Sequence, residues 1–184
     1  MTTTTPRRSA KRRSWIPYTV TGFVAVAILG GGIAFAAAGG SAPSGGPVRT
    51  GELSSMGMPV IETPGTASGT VTAAGLTAEP AAWAMGVVPL NVAVRPTWTL
   101  HNTGTDAITL GEPHAEVIEG CCPGVFSLPD GNVLAAGGKT RLSFELSMHP
   151  GMDGRHDMAI HVPVERADGT SDTLTVTVTG DFHD

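Results

Sequence analysis

The residues with the most distinctive chemistry in this chain are its only two cysteines, which stand side by side as Cys121 and Cys122 in EGCCPGVF. A second unusual run, MHPGMDGRHDM from Met148 to Met158, sets His149, Met152, His156 and Met158 in an H-x2-M-x3-H-x-M spacing. It holds three of the seven methionines and two of the six histidines, a crowding uncommon in an exposed turn. Thiolate and thioether sulfur are soft donors suited to Cu(I), and imidazole suits Cu(I), Cu(II) and zinc. Cys121, Cys122, His149, Met152 and His156 are therefore the candidate metal ligands. Copper as Cu(I) is the ion expected first and zinc second, and a domain that binds no metal is the competing expectation.

Structural bracing is the weakest explanation of the cysteine pair. A disulfide between neighbours is strained, and it closes almost no loop, so chain entropy gives it little stabilising effect. In an oxidising compartment two exposed thiols stay reduced only if a metal or reductant holds them. Ligand, redox element and partly buried thiol follow in that order. Pro123 is expected to hold Cys122 extended, where successive side chains point opposite ways, so both sulfurs reach one ion only if the backbone kinks at Gly120.

Bland readings apply to the neighbours. Met148 and Met158 have the parity of core residues, while His149 and His156 flank the turn, where solvation alone would account for them. His101 and His161 fall on outward strand positions, and His114 and His183 have less to recommend them. Met56, Met58 and Met85 read as incidental, although a mobile methionine-bearing tether would be able to deliver or cap a soft metal. Catalysis finds no support. There is no G-x-S-x-G, H-E-x-x-H or glycine-rich phosphate loop, and thioredoxin chemistry would want C-x-x-C in an α/β setting. The chain is expected not to be an enzyme.

The surrounding elements give these residues their compartment. Arg7, Arg8, Lys11, Arg12 and Arg13 precede an uncharged stretch, and from residue 50 onward sixteen acidic side chains face five basic ones, a net of -11. That balance excludes a general electrostatic grip on nucleic acid. The 24 residues from Trp15 to Ala38 are mostly apolar; as a helix they would reach about 36 Å, enough for a hydrocarbon core of about 30 Å. The basic cluster before them predicts a cytoplasmic N-terminus and an extracytoplasmic remainder. A cleaved signal peptide is the rival reading, since Ala34-Phe35-Ala36 and Ala36-Ala37-Ala38 fit a small-x-small pattern. The run exceeds a usual signal core, which favours an uncleaved anchor. The expected organisation is a basic N-terminus over 1–14, a membrane helix over 15–38, a Gly/Pro/Ser/Thr-rich tether over 39–82 with room for one short strand at Pro59 to Glu62, and a folded domain over 83–184.

Two-residue alternation begins near Trp83. Val92, Val94, Trp98 and Leu100 share one parity, as do Leu142, Phe144, Leu146 and Met148, then Met158, Ile160, Val162 and Val164, then Leu174, Val176 and Val178. With turn sequences such as NTGTD, PDGN and RADG between them, these predict about seven half-buried antiparallel strands. The fold class is all-β, an immunoglobulin-like sandwich, with a barrel as the alternative.

WTLHNTGTDAITLGEP, the cysteine pair, LAAGGKTRLSFELSM and TLTVTVTGDF together resemble a bacterial extracytoplasmic immunoglobulin-like domain of the Hydin-related kind, over roughly residues 88 to 182. Asn102 and Gly104 supply the N-x-G turn of that group, and Gly137 and Gly138 stand where it usually has Pro-Gly. Adjacent cysteines depart from its Cys-Gly-Cys. The resemblance implies the fold and the compartment and no enzymatic activity. Three functions follow as expectations: a membrane-anchored soft-metal binder for carriage, sensing or sequestration, a metal-free module for an envelope partner, or a thiol redox element. The first requires a cysteine sulfur and the 149–156 turn at one end of the sandwich, since all ligands of one ion lie about 2 to 2.3 Å from it.

Overall fold

The computed structural model describes residues 46–122 and 124–184. The basic N-terminus and the expected membrane helix lie outside the described residues, as does Pro123. Among the described residues no helix is long and apolar enough to cross a membrane.

All described regular structure is strand, in two mixed sheets. The first sheet contains β1 (Arg49–Leu53), β2 (Pro59–Ile61), β4 (Val71–Ala73), β5 (Leu76–Glu79), β7 (Ala93–Val94), β8 (Thr97–Asn102), β11 (Val125–Ser127) and β13 (Lys139–Ser147). Its order is β1-β2-β7-β13-β8-β5-β4, with β11 also paired to β13. The second contains β3 (Thr66–Ser68), β6 (Ala82–Pro89), β9 (Ile108–Leu110), β10 (His114–Glu119), β12 (Val133–Leu134), β14 (Gly154–Arg166) and β15 (Ser171–His183). It runs β12-β9-β14-β15-β6-β3, with β10 paired to β14.

The alternation that predicted the strands also fills the core. Trp98, Leu100, Leu142, Phe144 and Leu146 from the first sheet meet Met158, Ile160, Val176 and Phe182 from the second, all buried. Side chains on alternate strand positions leave the sheet on opposite faces, so one apolar parity per strand is enough to build the interior.

Three expectations are corrected. The stretch from residue 49 to residue 79, expected as tether, forms five short strands. Val60, Ile61, Leu76 and Ala78 are buried there, because a segment poor in apolar residues can still be ordered by adding its backbone to the open edge of an existing sheet. The domain therefore begins well before residue 83. It has fifteen strand segments rather than about seven. Nor is the sandwich wholly antiparallel: β6 runs parallel to β15, from Ala82↔Thr177 to Pro89↔His183, and β2 pairs parallel with β7 at Val60↔Ala93. Neither pair is joined by a tight hairpin, which is what would force opposite directions.

Candidate functional site

Two crossings between the sheets bring the sulfur and imidazole side chains together. β10 runs against β14, with Val117↔Met158 and Glu119↔Asp157. The chain then leaves through Gly120, Cys121 and Cys122 to β11, which pairs with β13 at Val125↔Glu145. β13 continues to Ser147, and residues 148–153 cross back to open β14 at Gly154. Both connections thus span the same end of the sandwich, one carrying the cysteines and the other the His/Met run.

Cys121 Sγ lies 3.8 Å from His156 Nε2, and Cys122 Sγ lies 4.0 Å from Met152 Sδ. Two donors about 2.0 and 2.3 Å from one tetrahedral ion would be about 3.5 Å apart, and two sulfurs at about 2.3 Å would be about 3.8 Å apart, so each pair stands within a few tenths of an ångström of a shared ion's spacing. His149 and Met152 line a cavity of about 200 Å³ with Cys122. His149 is linked to Met152 through the turn bond from the Met152 N–H to the His149 carbonyl, 3.0 Å. All five candidate ligands stand at this end.

His156, a candidate ligand for which solvation alone was the bland alternative, is 3% exposed. It is fixed on three sides. Phe182 meets its ring edge-on at 5.1 Å, and its Nδ1 lies 3.1 Å from the Gly154 carbonyl oxygen. A carbonyl only accepts, so Nδ1 carries the proton and Nε2 presents a lone pair toward Cys121. On the third side is Gly120, at φ +93°, where an added Cβ would lie 2.4 Å from His156 Cδ2.

Cys122 is not extended. It sits at φ +55°, in the left-handed region, which avoids the right-handed helical geometry that a following proline disfavours without extending the chain. With Gly120 also turned left-handed, the backbone kinks on both sides of Cys121. Cys121 is half-buried and Cys122 exposed, and neither is in a disulfide. A hydrogen bond between the two thiol groups, then burial, then charge repulsion from Cys122 push the Cys121 thiol above its ordinary value. That works against nucleophilic or redox thiolate chemistry, which depends on a lowered thiol.

Met148 and Met158 are both fully buried, as packing residues would be. His161 sits on the outward face, its Nε2 3.2 Å from Glu116 Oε2. Among the described residues no three His, Cys, Asp or Glu side chains are grouped as a metal site, so a shell built here depends on methionine sulfur. Met56, read from the sequence as incidental, lines the same cavity from the turn between β1 and β2. Its signal was the SSMGM run, two methionines in a segment otherwise short of large apolar residues.

No protein-family model and no curated protein matches the chain. Among solved structures, the chain is similar to the secreted serine protease VesC from Vibrio cholerae, with 16% identity, 55% of this chain and 22% of that chain covered, and a TM-score of 0.41. It is also similar to the ASH/PapD-like domain 7 of human CEP192, at 12% identity, 65% and 94% coverage and a TM-score of 0.46. WR4, a C. elegans MSP family member, gives 9% identity, 60% and 100% coverage and a TM-score of 0.38. Likeness this remote assigns no family and no activity. The Hydin-related resemblance gains no matching family model, and what stands is a two-sheet all-β domain.

Proposed function

We propose that this is a membrane-anchored, extracytoplasmic domain of immunoglobulin-like type that binds copper as Cu(I), for carriage, sensing or sequestration. The ligands are drawn from Cys121 and/or Cys122 with His149, Met152 and His156. The reading is carried by the paired separations of 3.8 Å for Cys121 Sγ to His156 Nε2 and 4.0 Å for Cys122 Sγ to Met152 Sδ. Each ligating thiol gives up its proton as the metal–sulfur bond forms, so one proton leaves per thiolate bound. Imidazole Nε2 and the thioether bind as neutral donors. The anchor is the apolar run over residues 15–38, with the basic cluster on the cytoplasmic side.

The test is a Cu(I) and Zn(II) titration of the full chain in detergent under reducing conditions, against a competing chelator. It is run beside a Cys121→Ser/Cys122→Ser double variant and a Met152→Leu variant. The wild type is expected to hold Cu(I) at fixed stoichiometry, the double variant to lose it and Met152→Leu to bind more weakly. Equal binding by all three sinks the ligand set.

A metal-free interaction module is the second reading, favoured by apolar side chains left in solvent on the strands that lead to and from the cysteines. Ile118 is 60% and Val125 56% exposed. A partner that binds unchanged to the double cysteine variant would support it.

A further inference from the structure

The turn between β1 and β2 is held by more bonds than a loose tether would need. Ser54, itself buried, accepts at its hydroxyl from the N–H groups of Met56 and Met58, at 3.2 and 2.9 Å. The Ser55 N–H and hydroxyl both donate to Glu145 Oε1 at 2.8 and 2.6 Å. The result is a fixed turn that leaves Met56 64% exposed, outside the apolar core. The side chain instead forms one wall of the cavity of about 200 Å³ whose other walls include Cys122, His149 and Met152. The Ser147 hydroxyl donates to its Sδ at 3.9 Å.

We infer that Met56 is a further ligand of the same soft-metal site, supplying a second thioether from the β1–β2 turn; this rests on the metal-binding reading above. Three rotatable bonds let the sulfur swing from Ser147 into the cavity without moving the anchored backbone. A neutral thioether adds no charge to the site. It favours Cu(I) over zinc, whose sites are built from thiolate, imidazole and carboxylate. Met56 and Cys122 are the exposed members of the set, and Met56, the uncharged one, is the ligand that a sulfur donor on an incoming metal carrier would displace first. It marks the side from which the ion enters and leaves.

Full-length protein carrying 13C at the methionine methyl groups, titrated with Ag(I) as a redox-stable substitute for Cu(I), separates the possibilities. The Met56 and Met152 methyl resonances are expected to shift together at the same equivalence, while the buried Met85 resonance stays in place. Met56→Leu should weaken Ag(I) binding by at least the roughly tenfold that losing even an outer partner of a metal costs, with the melting temperature of the metal-free protein unchanged. If Met152 shifts and Met56 does not, and Met56→Leu binds like the wild type, Met56 is no ligand while the metal site itself survives. If no methionine methyl shifts and Ag(I) does not bind, both readings are overturned.

Discussion

At Gly120 the backbone passes so close to His156 that any side chain would meet the ring at 2.4 Å, and its φ of +93° is one that L side chains rarely adopt. Gly151, in the exposed turn, has the same φ of +93° with nothing within 4 Å of the added Cβ. Alanine at either position incurs the backbone strain, but only at 120 must a buried imidazole also move. Gly120→Ala is therefore expected to cost about 1–3 kcal/mol and to lower Cu(I) affinity by displacing Nε2 from Cys121. Gly151→Ala should show the smaller stability loss alone, and thermal melts with a chelator competition read both. Equal effects of the two on affinity would mean that the contact with His156 does not position it. The raised Cys121 thiol gives a second expectation. It is protonated at neutral pH in the metal-free protein, so Cu(I) must displace that proton. Affinity should then rise with pH until the thiol is ionised beforehand, checked by competition titrations at stepped pH. His156 was legible in part: it shares the parity of Met158, two residues on, and that parity proved to be the buried one. The left-handed turn at Cys122 was not, because the rule for the residue before proline excludes the right-handed helical region and does not choose among the others.

The β1–β2 turn is joined to β13 through a carboxylate. Burial alone would raise the Glu145 carboxyl, but the hydrogen bonds from Ser55 and the Arg95 guanidinium outweigh it and hold the group below the ordinary carboxylate range. Arg95 Nε donates to Glu145 Oε2 at 2.9 Å and its Nη1 pairs with Glu52 of β1. A carboxyl whose folded value is depressed contributes stability that is complete above its unfolded value, about 4.3 for Glu. That stability is lost as pH falls through the folded value. Glu145→Gln should accordingly destabilise the domain by roughly 1–3 kcal/mol at neutral pH. The gap from wild type should close as pH drops below about 4, and a pH series of denaturant titrations checks it. A gap that stays constant well below that pH, where both folded and unfolded carboxyls are protonated, would rule out the ionised carboxylate as the source. None of this was legible from SSMGM or FELSM alone, since a hydrogen bond across 90 residues leaves no local pattern. The strands β8, β13, β14 and β15 were legible because each carries its own alternation, which local sequence does record.

The same contrast between local pattern and borrowed order governs the whole domain. Composition over 39–82 reads as tether, yet β2 closes onto β7, β5 onto β8 and β3 onto β6, so these strands form at edges the later sequence provides. The dependence also runs the other way. Removing residues before 83 would uncover the edges of β7 and β8 in the first sheet and of β6 in the second. It would also remove Val60, Ile61 and Leu76 from the core, each at most 2% exposed. At about 1.5–3 kcal/mol for each large side chain, the loss approaches the 5–15 kcal/mol that holds an ordinary domain together. A fragment of residues 83–184 is thus expected to lack a cooperative thermal transition and to aggregate through its open edges. A fragment of residues 46–184 should melt in a single step. Circular dichroism melts of the two decide it. A cooperative transition in the shorter fragment within a few degrees of the longer one would show that the first five strands add little, and that the metal-binding end stands without the β1–β2 turn.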